Sequence, residues 1–197
     1  MTDEIPIPKP VRRGSTSIET EPADDGTRVT VIARDRVGLL ADVAAMFAMQ
    51  RVPVRAARAW AQEQYGVSVW EVSEPELDPK VLRQRFDAVV DRRVDVARRL
   101  TGPTAALQPS VVVRPEASDH ATVLEVRAAD RPGVLYVVCA ALAGLDVAVR
   151  SAHVDTLGPQ AVDVFYLQEA SAGVLSDRRA AEAAHAVRDA LTAPASS

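Results

Sequence analysis

Two short stretches combine an acidic residue, a basic residue and a glycine in a way that suits the binding of a small charged molecule. They read DRVGLL (residues 35–40) and DRPGVLY (residues 130–136), and each follows a run rich in β-forming residues. A helix that begins at such a turn presents unpaired backbone N–H groups and the positive end of its dipole, which together favour an anion such as a carboxylate. The leading aspartate can receive an ammonium or amide group. The two turns are therefore candidate sites for a small zwitterion.

Each residue type in the second turn has a physical role there. Asp130 suits the N-cap position, where its side chain would accept a hydrogen bond from the first helical turn. Pro132 fits that turn because its missing N–H group is not needed there, and Gly133 leaves room for a close backbone or ligand. An aspartate cap and a packing glycine would explain the motif without any ligand, so both interpretations stay open. The candidate ligand-binding residues at the two turns are Asp130, Arg131, Pro132, Gly133, Val134, Leu135, Asp35, Arg36, Gly38, Leu39 and Leu40.

Ser151 and His153, two polar residues on a strand-like segment, are further candidates for ligand contact. A histidine there could also line a subunit interface, and a hydrogen-bonded structural histidine is the simpler alternative. His120 and His185 have no metal-ligand spacing to any cysteine or carboxylate cluster, so no metal site is predicted. Cys139 falls on an apolar helix face and is expected to be buried and unreactive. The sequence indicates neither a cofactor nor a nucleophile paired with a base, which argues against an independent enzyme.

The chain repeats itself with an offset of 95 residues. This offset carries Asp35 onto Asp130, and it still holds at Val69, which lands on Val164. Solenoid units are only about 20–50 residues long. A match in spacing and apolar pattern over so long a run therefore indicates two complete domains.

Each copy is predicted to have the order strand, strand, helix, strand, strand, helix. Segments in which apolar and polar residues alternate predict strands on both sides of a helix with regular apolar spacing, and a second, charged helix ends each copy. The pattern predicts an α+β protein with an antiparallel sheet and helices on one face. Strand 110–115 could instead close the first domain's sheet, but the symmetric assignment gives both copies the same elements. The predicted boundaries are a flexible tail or linker at 1–14, domain one at 15–100, a linker at 101–109, domain two at 110–193 and a tail at 194–197.

Composition and charge exclude several classes of function. The 197 residues carry a net charge of −4, which gives no electrostatic attraction to nucleic acid. No apolar run approaches the roughly 18 residues that a membrane span needs, and the N-terminal residues MTDEIPIPKP lack the regions of a signal peptide. We therefore expect a cytoplasmic protein that binds neither nucleic acid nor a membrane.

The DRPGVL turn, the helix after it and the stretch VRSAHVDTLGPQAVDVFYL (149–167) resemble the ACT domain, a family of small regulatory domains. More narrowly, they resemble the tandem ACT pair at the C-terminus of bifunctional uridylyltransferase/uridylyl-removing enzymes. The first copy matches less well, because Val37 stands in place of Pro132 and WAQEQYGVSVWEV lacks the threonine-leucine-glycine hairpin. The resemblance implies two ferredoxin-like domains, each an antiparallel four-stranded sheet in βαββαβ order with two helices on one face.

The resemblance also implies a function. ACT domains bind small regulatory ligands, typically amino acids, near the strand–helix turn, and glutamine is the expected signal in this enzyme class. It would report nitrogen status to upstream catalytic domains that modify the PII nitrogen-signalling protein. Those domains need a Gly-Ser turn with paired carboxylates and a His-Asp doublet, whereas this chain has only the reverse order at Asp119–His120.

We therefore expect a non-catalytic regulatory module. Its expected partners are an amino acid, upstream catalytic domains or a second copy of the chain, and the PII protein. The alternative is a ligand-free ACT scaffold that mediates dimerisation or contact with a catalytic domain.

Overall fold

The computed structural model describes residues 4–100, 107–115 and 117–193, which form eight strands and six helices. In chain order they are α1 Lys9–Arg12, β1 Ser17–Ala23, β2 Gly26–Arg34, α2 Leu39–Met49, β3 Val54–Gln62, β4 Tyr65–Val72, α3 Pro79–Val90, α4 Val96–Arg99, β5 Ser110–Arg114, β6 Thr122–Ala129, α5 Val134–Ala143, β7 Val147–Leu157, β8 Gln160–Glu169 and α6 Asp177–Thr192. Apart from the four-residue helices α1 and α4, the order strand, strand, helix, strand, strand, helix occurs twice. The structure thus contains the predicted repeat of elements.

The helices that close the two copies start at caps encoded in the sequence. The Asp78 carboxylate accepts a hydrogen bond from the Lys80 N–H at 2.8 Å, and a proline follows at the first position of α3. In α6 the Ser176 hydroxyl accepts from the Arg179 N–H at 3.3 Å. None of the helices in the described ranges has the length and apolar character of a membrane span.

All eight strands form one antiparallel sheet in the order β1-β2-β4-β3-β7-β8-β6-β5. The halves meet where β3 pairs with β7, through the register pairs Ala56–His153, Ala57–Ala152 and Arg58–Ser151. The α+β class and the antiparallel pairing are confirmed, but the expected pair of four-stranded sheets is joined into one. Because β3 and β7 are equivalent strands of the two copies, the joint lies on an approximate internal two-fold axis.

The edge strand of each half comes from the start of its copy. β1 pairs with β2 through a hairpin that closes at Ala23–Gly26, and β5 pairs with β6. Strand 110–115 therefore pairs within the second half, in agreement with the symmetric assignment. In the βαββαβ order the edge strand would follow the second helix, whereas here each half has the order ββαββα. A tight hairpin makes this local pairing available as soon as the second strand forms.

Helices α2, α3, α5 and α6 cover one face of the sheet. In the first half Val29 and Trp70 point towards α2 and α3, and the Trp70 ring lies 5.3 Å from the ring of Phe47. In the second half Phe165 packs against Leu142 of α5 and against α6. α2 and α5 also contact each other, so the two apolar cores meet above the β3–β7 joint.

The N-terminal segment covers the opposite face of the first half. Ile7 and Val11 are buried there against Ile32, Tyr65 and Val67. The sequence predicts a flexible tail or linker at 1–14, and the structure differs, because alternating apolar residues and a short helix dock onto the sheet. Residues 101–106 of the predicted linker and the tail 194–197 lie outside the described residues.

Candidate ligand-binding site

Both DRxG turns lead into helices whose N-cap residue is a glycine in the left-handed conformation. Gly38 precedes α2 with a φ of 86°, and Gly133 precedes α5 with a φ of 94°. Residues with a side chain rarely adopt such angles, so the backbone itself requires glycine at both positions. No side chain of the described residues caps either helix. The prediction of Asp130 as the N-cap is therefore wrong, because the cap lies three residues further along the chain.

The first turn of each helix has backbone N–H groups without a protein partner. The Val134 N–H reaches the Arg131 carbonyl oxygen only at 3.5 Å, and the N–H groups of Leu135 and Tyr136 have no partner within 4–100, 107–115 and 117–193. The equivalent two groups at the start of α2 are in the same situation. Donors for an anion are thus present at both turns.

Each turn opens onto a pocket of about 280 Å³ that is shared between the two copies. The first pocket lies between the turn at 35–40 and residues 146–150, at the start of β7. The second pocket lies between the turn at 130–136 and residues 51–54, which lead into β3. This volume is close to the lower limit for small-molecule sites. Because its walls come from different copies, a molecule in either pocket contacts both copies at once.

Many residues that line the first pocket have their equivalents, 95 residues away in the sequence, in the lining of the second pocket. The internal two-fold axis requires this correspondence. Two equivalent positions differ in charge. Arg51 of the second pocket corresponds to Asp146 of the first, and Asp163 corresponds to Ser68. The two pockets therefore differ in their electrostatics.

The second pocket contains a buried carboxylate. Asp163 is only 1% exposed, and its Oδ1 atom has no hydrogen-bond partner among the described groups. Burial, and then the negative charges of Asp130 and Asp155, raise the pKa of Asp163 from 3.8 to about 7. Such a group is stabilised by any cation or donor that enters the pocket.

Two polar side chains of the first pocket, Arg36 and Ser68, are satisfied within the protein, whereas the buried Trp60 Nε1 atom has no hydrogen-bond partner among the described groups. Arg36 forms an ion pair with Asp42, and the Ser68 hydroxyl accepts a hydrogen bond from Trp70 Nε1 at 2.8 Å. In the second pocket Arg131, the equivalent of Arg36, forms no ion pair within the described part of the chain, since no acidic residue stands at the position equivalent to Asp42. The two pockets thus differ in the kind of group that is left without a partner: a donor at Trp60 in the first pocket and a carboxylate oxygen at Asp163 in the second.

Ser151 and His153 do not join either pocket. They lie on β7 next to Ala152, which points into the helix-covered core, so their side chains are on the opposite face of the sheet. There the His153 ring meets the Tyr166 ring edge-on at 6.2 Å. The structure therefore separates these two candidates from the turn residues.

The turn residues, in contrast, line the two pockets. The first pocket is lined by Asp35, Arg36, Gly38, Leu39 and Leu40, and the second by Asp130, Arg131, Pro132, Gly133, Val134 and Leu135. The sequence interpretation missed Asp163, although a signal was present. In the stretch AVDVFYL (161–167) every second residue is buried, and three of these four residues, Ala161, Phe165 and Leu167, are apolar. Asp163 is the fourth, and it is the one that carries a charge.

Cys139 lies on the buried face of α5, as expected, and burial together with the charge of Asp163 raises the pKa of its thiol to about 12. A thiol with that pKa stays protonated at neutral pH and is a poor nucleophile. Within the described ranges, no three His, Cys, Asp or Glu side chains are grouped so as to hold a metal ion.

The fold and its pockets define a duplicated α+β module with a ligand-sized pocket on each side of the joint between its copies. No model of a known protein family matches the chain. In sequence it is 35% identical over 185 residues to the bifunctional uridylyltransferase/uridylyl-removing enzyme of Streptomyces coelicolor, covering 84% of this chain and 22% of that protein. It is 32% identical over 177 residues to the enzyme of the same name from Caulobacter vibrioides strain NA1000 / CB15N, covering 82% of this chain and 19% of that protein.

The chain is thus related to part of the bifunctional uridylyltransferase/uridylyl-removing enzymes, and the resemblance predicted from the sequence is confirmed. It spans about a fifth of the length of these curated relatives. Among solved structures, it is similar to aspartate kinase from Synechocystis with a TM-score of 0.41 and 16% identity, over 79% of this chain and 25% of that one.

Proposed function

We propose that this chain is the non-catalytic regulatory part of a bifunctional uridylyltransferase/uridylyl-removing enzyme and that it binds an amino acid, expected to be glutamine, beside the DRxG turns. In this proposal residues 15–100 and 110–193 are two ACT domains, each with its edge strand at the start of the copy, in the order ββαββα. Ligand binding controls the uridylylation and deuridylylation of the PII protein by catalytic domains elsewhere in the enzyme. The similarity to about a fifth of the length of such enzymes supports this assignment.

The observation that carries the proposal is the position of the pockets between the two copies. A ligand there contacts a helix start from one copy and a strand start from the other. Its affinity therefore depends on how the copies are arranged, and by linkage its binding favours one arrangement over others. A catalytic domain that contacts both copies would sense that shift.

The chemistry of the turns favours an amino acid over a simple anion. The unpaired N–H groups of α5 suit a carboxylate, and the exposed carboxylate of Asp130 lies at the same pocket for an ammonium or amide group. A zwitterion satisfies both.

Titration calorimetry of the chain with L-glutamine, other L-amino acids and D-glutamine tests this function. We expect saturable heat for L-glutamine and a raised melting temperature, since a ligand at a hundred times its Kd stabilises the folded state by about 2.7 kcal/mol. D-Glutamine controls for non-specific effects of the solute. The absence of both heat and a melting shift for every amino acid would overturn the proposal.

A pair of proline variants shows which turn takes the ligand. Leu135→Pro removes one unpaired N–H group of α5, and Leu40→Pro removes the equivalent group of α2. Proline is tolerated in the first helical turn, as Pro10 of α1 illustrates. Loss of L-glutamine binding in only one variant would assign the site to that turn.

The alternative function, a ligand-free scaffold, is favoured by the uncovered face of the second half. The N-terminal segment covers this face only in the first half, whereas in the second half Val112 is 38% exposed and Val164 and Tyr166 are partly exposed. A second chain or a catalytic domain can pack there. This candidate predicts a stable dimer without ligand in sedimentation experiments. Val164→Asp would dissociate it, and Val81→Asp, on the surface of α3, would not.

A further inference from the structure

The described part of the protein provides no partner that compensates the negative charge of the buried Asp163 carboxylate. The residue is 1% exposed, belongs to the inward-facing side of β8, and forms no hydrogen bond or ion pair with the described residues. Burial of an ionised carboxylate without a partner is strongly unfavourable. A position of this kind is seldom explained by packing alone, because Asn or Ser would fill similar space without the charge.

The internal repeat provides a comparison within the same molecule. At the equivalent position of the first pocket the residue is Ser68, and its hydroxyl is satisfied by Trp70 Nε1 at 2.8 Å. The fold therefore does not require an acid at this position. The carboxylate is particular to the second pocket, and its side chain lines that pocket together with the start of α5.

The charges around Asp163 favour the binding of a cation from outside the protein. The nearby carboxylates of Asp130 and Asp155 make the site more negative. The two arginines at the pocket, Arg51 and Arg131, form no ion pair with Asp163 in the part of the chain that the structure describes. A positively charged group small enough for a 280 Å³ pocket is therefore the missing partner.

We propose that Asp163 is the counter-ion for the ammonium group of the amino acid, whose carboxylate is bound by the free N–H groups of Leu135 and Tyr136. This inference rests on the proposed function and makes it more specific. The second pocket is then the principal ligand site, and the ligand must have a free α-amino group. The first pocket, which has Ser68 in place of the acid, lacks this interaction.

Two comparisons test the inference, both by titration calorimetry with the whole chain. The first compares L-glutamine with N-acetyl-L-glutamine on the unmodified protein, because acetylation removes the positive charge of the amine, and it uses N-ethyl-L-glutamine, which keeps that charge, as the control for added bulk. The second compares Asp163→Asn with Asp155→Asn. Asp155 is the matched control for the loss of a nearby negative charge: it follows the pocket residue Val154 on β7, so its side chain points to the opposite face of the sheet and does not contact a ligand in the pocket.

We expect N-acetyl-L-glutamine to bind the unmodified protein at least tenfold more weakly than L-glutamine. Asp163→Asn should weaken L-glutamine binding at least tenfold, and Asp155→Asn should change it by less than about twofold, as expected for a surface charge screened by solvent. The acetylated ligand keeps the test decisive even if Asp163→Asn fails to fold.

The outcomes separate this inference from the function on which it rests. Equal binding of the acetylated ligand, or unchanged affinity in a folded Asp163→Asn variant, overturns the role of Asp163 and leaves the amino-acid sensor in place. Failure of the unmodified protein to bind any amino acid overturns both.

Discussion

At the scale of single residues, the buried carboxylate of Asp163 makes the stability of the folded chain depend on pH. Its pKa is raised from 3.8 to about 7 by burial and by neighbouring carboxylates. Between these values the folded state holds a proton that the unfolded chain has lost, so the free energy of unfolding falls as the pH rises towards 7 and stays lower above it.

We therefore expect Asp163→Asn to raise the free energy of unfolding at pH 8 by roughly 2–4 kcal/mol and to have a much smaller effect near pH 4. Urea unfolding at both pH values measures the difference. Asp24→Asn, in the exposed turn between β1 and β2, serves as a control with little effect at either pH. An equal gain from Asp163→Asn at both pH values would contradict the assigned cause.

The two cap glycines have different surroundings, which allows a paired prediction. A methyl group on Gly133 would lie 2.7 Å from Leu100 Cδ1, whereas one on Gly38 would meet nothing closer than the Arg36 guanidinium at 3.8 Å. Both alanine variants carry the strain of a left-handed backbone, about 1–2 kcal/mol. Gly133→Ala should in addition displace Leu100, so thermal denaturation should show the larger loss for Gly133→Ala. Equal losses would show that Leu100 moves freely.

Sequence reasoning at this scale found the turn residues but assigned some of their roles incorrectly. The glycines and the pocket position of the turns follow from the DRxG pattern, whereas the cap depends on backbone angles that place Gly133, and not Asp130, at the helix start. Asp163 was missed because the turn at 130–136, which lies beside it in the pocket, is distant in sequence. The one indication that Asp163 is buried was its position among the alternate residues of β8, which are otherwise apolar.

At the scale of elements, the N-terminal segment is part of the fold. Val11 is 2% exposed against β2 and β4, and Gln62 fixes the same segment by accepting from the Ile5 N–H at 3.1 Å and donating to the Ile5 carbonyl oxygen at 2.7 Å. We expect Val11→Ala to lower the free energy of unfolding by about 1–3 kcal/mol, because it leaves a cavity in a packed cluster. Chemical denaturation measures the loss.

Val37→Ala is the matched control, since Val37 is 56% exposed and surface changes of this kind have effects within about 0.5 kcal/mol. If the two variants were equally stable, the N-terminal segment would contribute no stability.

Most elements followed from the sequence because their patterns are local. The helix after each turn and the paired strands have regular apolar spacing, and the hairpin signals placed β5 beside β6. The N-terminal segment lacks such a signal. Its alternating Ile5 and Ile7 are separated by proline, which is equally typical of a linker, and burial depends on a sheet face formed by residues much later in the chain.

At the scale of the whole molecule, the β3–β7 joint positions both pockets. Ala57 and Ala152 pair directly across it and are both almost fully buried. We expect Ala57→Leu to lower stability by about 1–3 kcal/mol, because the joint has no room for the larger side chain. Under the proposed function it should also weaken L-glutamine binding, because the pocket walls come from both sides of the joint.

Calorimetry and thermal denaturation of the same variant measure the two effects, with Ala181→Leu on the exposed surface of α6 as the control. Lost stability with unchanged affinity would show that the joint does not position the pocket.

The joint could not be predicted from the sequence. The 95-residue repeat indicates two similar units, but pairing between two edge strands depends on complementary backbone and on small residues such as Ala57 and Ala152, which have no distinctive pattern. The location of the pockets between the copies could not be predicted either, because it depends on this pairing.

The pairing of β3 with β7 is intramolecular, so its two sides are held together by the polypeptide at a fixed effective concentration. A pocket built in the same way between two separate chains would empty on dilution as those chains came apart. Here dilution leaves the pocket intact, and under the proposed function the ligand level that half-saturates the module is the same however few copies of the protein a cell contains.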